Sequence, residues 1–131
     1  MMPLMATSSP QPELDELFVP DAAAWRAWLE DHHDSSRGVW LVLTKVGGTA
    51  TALTYEQAVE EAVCFGWIDS QARRRDDETQ SMRMTPRGPR SPWSASNVDR
   101  VARLEAAGRM HAAGRSAVEA ARADGRWPRS S

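Results

Sequence analysis

Apolar positions recur along this chain with two different periods, and the alternation between them sets out a small α+β domain. After Pro20 and Asp21, Trp25, Trp28, Leu29 and His32 fall at helical spacing, with Asp21 placed to cap the helix. Arg37-Gly38 breaks that pattern. GVWLVLTK, Gly38–Lys45, is short, rich in β-branched and aromatic residues, and apolar without interruption, which predicts a central strand. Gly47-Gly48 supplies the turn out of it.

The clearest helix runs from Thr54 to Phe65. Thr54 and Gln57 stand three apart, as a capping box requires, and Tyr55, Ala58, Val59, Ala62 and Val63 form one apolar stripe. Gly66 ends it. Trp67–Arg75 and Thr79–Thr85 then alternate at period two around the polar tip Asp76-Asp77-Glu78. Ile68, Ser70 and Ala72 are expected on one face, and Met82 and Met84 on the covered face of the second strand. Pro86, Pro89 and Pro92 exclude regular pairing beyond. Ser94 or Ser96 caps a helix over Ser96–Ala107, and an alanine-rich helix follows over Ala112–Asp124.

These elements predict one domain over residues 18–131, preceded by a loose Pro- and Ser-rich arm over 1–17. The expected architecture is an antiparallel sheet of about three strands, Gly38–Lys45, Trp67–Arg75 and Thr79–Thr85, covered by helices. The C-terminal helical pair would pack on the sheet or project beside it.

Composition adds little until it is divided. At 131 residues, 41% apolar and 26% charged, the chain can bury one core. Its net charge of −2 favours no partner. Residues 1–65 carry three basic residues against ten acids, whereas 66–131 carry thirteen against eight. The basic half could attract an anion, or the halves could attract each other. A lone cysteine, no secretory leader and no long apolar run point to a cytoplasmic protein without membrane insertion.

Candidate chemistry is sparse. Cys64 sits at a helix C-terminus, where the dipole opposes a thiolate, and reads as a structural thiol. His32 and His33 are adjacent, His111 is remote, and no metal-ligand spacing or cofactor motif occurs, so neither a metal nor a cofactor is expected. Asp69 shares a strand face with Trp67. It could be an acid/base beside an indole, or the partner of Arg83 or Arg87 in an ion pair.

The loop Thr85–Ser94 is the most site-like stretch. Its prolines stiffen it, Arg87 and Arg90 carry forked donors suited to carboxylate or phosphate, and Trp93 offers a flat apolar wall. Ser91, Ser94 and Asn97 could add neutral donors near a helix start. The competing reading makes Trp93 a core plug, the serines caps, and the arginines ties to the acidic half.

The segments AWRAWLEDHH, GVWLVLTK, LTYEQAVEEAVCFGWIDSQ, TPRGPRSPWSASN and RLEAAGRMHAAGRSAVEAARADGRW resemble the YdeI/OmpD-associated family of small bacterial proteins. The resemblance runs from about Phe18 to Trp127, with Trp127-Pro128 a departure from the family's usual Trp-Asp. It implies a non-enzymatic role in stress or bacteriocin protection and supplies no catalytic residue. The family's motif positions fall on Trp67, Asp69, Arg87, Ser91, Trp93, Ser94 and Asn97. With Arg90 added, these form the expected surface for an anionic small molecule or peptide.

Two other classes remain open from the residues. One is a small enzyme using Asp69 beside Trp67. The other is nucleic-acid binding through Arg73–Arg75, against which the interleaved acids argue. Tryptophans left exposed would also suit a homodimer face.

Overall fold

A computed structural model describes residues 14–45 and 49–128. The chain forms β1 (Glu16–Leu17), α1 (Ala22–His32), β2 (Val39–Thr44), α2 (Tyr55–Cys64), β3 (Trp67–Arg74), β4 (Thr79–Pro86), α3 (Ala95–Ala106) and α4 (Ala112–Ala123). The four strands make one mixed sheet in the order β1-β2-β4-β3. β4 runs antiparallel to both neighbours, and β1 runs parallel to β2. This is the α+β class expected, with one strand more.

The extra strand corrects the boundary of the expected arm. Glu16 and Leu17 pair with Trp40 and Leu41, and the Trp40 amide donates to the Asp15 carbonyl. Two residues carry no periodicity of their own, so the edge of β2 dictates their conformation. Residues 1–13 of that arm, and the Gly47-Gly48 turn, lie outside the described residues.

β2 is apolar throughout because both its faces are covered. Val39, Leu41 and Leu43 enter the main core with Met82 and Met84 of β4. Trp40 and Val42 alternate to the opposite face, where the Arg73 guanidinium lies 3.9 Å from the Trp40 ring centroid. On β3 the inward residue is Trp67, whereas Ser70 and Ala72 are exposed. A register shift between Asp69 and Gln71 leaves Ser70 as an extra residue, which breaks the alternation expected along this strand.

Thr54 caps α2 in a full capping box with Gln57. Gly66, at φ 76°, then reverses the chain into β3. The C-terminal helices pack mainly on α2. Gly114 makes the closest approach: a Cβ there would stand 2.2 Å from the Cys64 carbonyl oxygen. Ion pairs seal the same seam, with Arg100 forked onto Glu56, and Arg103 reaching Glu60. Buried Glu61 receives both Arg26 and Arg109. Here basic residues of the second half do neutralise acids of the first.

Candidate functional site

The Pro-rich loop is anchored at both ends before it offers any donor. Pro86 pairs with Trp67 across β3 and β4, and the Arg87 amide donates to the Gly66 carbonyl at 3.0 Å. Within the loop, Ser91 Oγ accepts from the Gly88 amide at 2.9 Å. Ser94 caps α3 by accepting from the Asn97 amide, and Asn97 Oδ1 accepts from Arg100. Ser91, Ser94 and Asn97 are therefore occupied in holding the loop and the helix start.

Arg87 is the residue this scaffold displays. Its guanidinium lies 3.6 Å from the Trp93 ring centroid, and Nη1 donates to the Pro92 carbonyl at 2.6 Å. Its other two nitrogens, Nε and Nη2, are buried without an acceptor among the described residues, and so is the Trp93 indole N–H. Burial lowers the Arg87 pKa to about 10; the charge of Asp69 opposes that shift and Arg126 adds to it. The group remains a cation at neutral pH.

Arg126 closes the arrangement from the far end of α4. Its Nε bonds both carboxylate oxygens of Asp124, at 2.9 and 2.8 Å, and Nη1 donates to the Ser91 carbonyl at 3.0 Å. Trp127 follows, with its ring 5.1 Å from that of Trp93. A cavity of about 150 Å³ opens between loop and helix, lined by Arg87, Pro89, Trp93, Ala117, Ala120 and Arg126. Sequence reasoning missed Arg126 because an isolated arginine after a helix-stopping glycine carries no pattern.

The remaining expected residues are placed elsewhere. Trp67 is buried, edge-on to Trp25 and Trp28 at 6.4 and 5.8 Å, and its indole N–H reaches the His33 carbonyl. It is a core residue and lines no wall of this cavity. Asp69 is half-buried and accepts from the Tyr55 hydroxyl at 3.1 Å. It is in salt bridge with neither Arg83 nor Arg87, and acts on Arg87 only through space. The Tyr55 pKa is raised, first by burial and then by the Asp69 charge. Arg90 is exposed and bonds no described residue.

The hairpin arginines are committed as well. Arg73 covers Trp40, Arg74 pairs with Asp77, and Arg75 pairs with Glu16 and Asp76. All six tryptophans are buried or half-buried, so exposed indoles give no argument for a homodimer face. Among the described residues, the large exposed apolar side chains are Phe18 and Tyr55. Burial raises the Cys64 pKa, which keeps that thiol protonated. No described helix is long and apolar enough to cross a membrane.

Residues 17–117 match the model of a family described as a domain of unknown function, DUF8412. The chain belongs to that family. The DUF8412 match spans the whole Pro-rich loop and stops short of Arg126. It carries no link to the YdeI/OmpD-associated proteins. No curated protein and no solved structure matches the chain.

Proposed function

We propose that this protein is a non-enzymatic anion-capture protein, working in the cytoplasm through the cavity between the Pro-rich loop and α4. Arg87 is the capturing group, Trp93 holds it flat, and Arg126 fixes the loop against the helix. The observation that carries this reading is the pair of buried Arg87 nitrogens without an acceptor beside a cavity. Leaving such donors unpaired costs free energy that an anion would recover. The resemblance to the YdeI/OmpD-associated proteins supports placing that capture in stress or bacteriocin protection.

The acid/base alternative has less support. Trp67 is in the core, and Asp69 already holds the Tyr55 hydroxyl and lines none of the three cavities described.

The test is thermal unfolding of the full chain in low-chloride buffer, against a panel of small inorganic and organic anions at millimolar concentration. At least one should raise the midpoint in a saturable way, and Arg87→Gln should remove that response while the fold is retained by circular dichroism. A flat response across the panel would sink the reading.

A further inference from the structure

We infer that the anion this cavity takes is a small monocarboxylate on a short apolar group, an inference that rests on the anion-capture reading above. One edge of Arg87 is buried without a hydrogen-bond partner among the described residues. Nη1 is committed to the Pro92 carbonyl, and one face is committed to Trp93. Nε and Nη2, the two nitrogens left over, lie on one edge of the planar group. Two parallel N–H vectors in one plane match two coplanar oxygens, which is the carboxylate geometry. The buried Trp93 N–H adds one neutral donor.

Charge points to a monoanion. Asp124 already neutralises Arg126 through both carboxylate oxygens, and Asp69 bears on Arg87 from the strand side. One positive charge is thus left to answer one negative charge. A phosphate dianion would bring a second charge toward Asp69 and Asp124, with too few donors for its remaining oxygens.

Size and lining fix the rest. A cavity of about 150 Å³ holds roughly five water volumes, so it suits a group of only a few heavy atoms. Ala117, Ala120 and Pro89 give it an apolar wall. The fork is sealed from solvent by the loop, whose Gly88 and Ser91 carbonyls Arg126 holds. Binding therefore requires the loop to part from Arg126. The chemistry could arrive as a free short-chain acid or as the C-terminal carboxylate of a peptide ending in a small residue.

Isothermal titration of the full chain with acetate, propionate, butyrate, phosphate and sulfate tests this, together with an Ala-Ala-Ala peptide in free and amidated forms. We expect at least one carboxylate to bind at least tenfold more tightly than phosphate or sulfate. The free-acid and free-peptide arms distinguish the source. Arg87→Lys, which keeps the charge and loses the fork, should weaken binding at least tenfold. Ala120→Leu, an exposed position on α4 that tolerates the side chain, should block the cavity with the fold intact. Phosphate or sulfate binding as tightly as the carboxylates, or amidated peptide binding as tightly as free, would overturn the monocarboxylate assignment and leave anion capture standing. Silence from every anion would remove both.

Discussion

Arg87 lies flat on Trp93, with 3.6 Å between guanidinium carbon and ring centroid, and neither residue finds a hydrogen-bond partner for all its buried N–H groups. The stack contributes roughly 0.5–2 kcal/mol, whereas each unanswered donor costs about 1–3 kcal/mol. The second effect is the larger. Arg87→Met keeps a chain of similar length over the indole and deletes the two orphaned Arg87 donors, giving up the Nη1 bond to the Pro92 carbonyl. We expect it to raise unfolding free energy by about 1 kcal/mol in urea titrations while removing anion binding. A loss of stability of that size would mean the fork has an acceptor within the protein.

The contact between α4 and α2 is set by a missing side chain. At Gly114 a Cβ would meet the Cys64 carbonyl oxygen at 2.2 Å and the Met110 methyl at 2.9 Å. A backbone oxygen cannot swing aside, so Gly114→Ala should cost about 3 kcal/mol by pushing the helices apart. Gly108→Ala is the comparison, since a Cβ there meets nothing within 4 Å and only its positive φ is strained. About 1–2 kcal/mol is expected for it. Equal losses in the two variants, measured by chemical denaturation, would show that close approach at Gly114 is not what positions α4.

How much of this was legible depends on whether the deciding force is local. α2 was readable in full, because the Thr54–Gln57 box, the apolar stripe and Gly66 all act within a few residues of one another. β2 was readable because burial on both faces leaves no polar residue in its core. β1 was not, since a two-residue strand borrows its conformation from Trp40 and Leu41. The face of Trp67 was misjudged because alternation says that residues share a side without saying which side is wet, and the shift at Ser70 then broke the pattern. In the site, Arg87 and Trp93 were found through the proline punctuation around them. Arg126 was invisible, because it joins them only once α4 has docked.

Glu61 is buried at 5% exposure on the α2 face and depends on its two arginines for charge compensation. Glu61→Ala would leave Arg26 and Arg109 facing each other across the seam. Removing one partner of a fully buried pair costs about 3–5 kcal/mol. The Arg109 side chain stays 40% exposed and can turn to water, so a loss of about 2–3 kcal/mol is expected here. Replacing Glu61 with the isosteric Gln should recover only a small part of it, because its amide oxygen can accept from one arginine while its NH2 faces the other arginine's donor. Should Glu61→Ala unfold at the same denaturant concentration as the parent, the cluster contributes nothing to holding α1, α2 and Arg109 together.

Acid should loosen α4 through His111. Its Nδ1 accepts the Ala113 amide and caps the helix, a role open only to the unprotonated nitrogen. The ring lies between Phe65 and His33, at 4.6 and 4.9 Å. Burial lowers its pKa first, followed by the charges of His33, Arg26 and Arg115, with Glu30 opposing them. The unfolded chain therefore binds a proton at a higher pH than the folded one. The corresponding stability is fully present above the unfolded value of about 6.5 and is lost as pH falls below it toward the lower folded pKa. His111→Asn keeps a capping side chain and cannot titrate. Its unfolding midpoint should fall less steeply than the parent's between pH 7 and pH 5, and the protection factors of amides at the start of α4, corrected for the intrinsic pH dependence of exchange, should fall with acid only in the parent. Parallel pH profiles for the two proteins would show that the proton lands elsewhere.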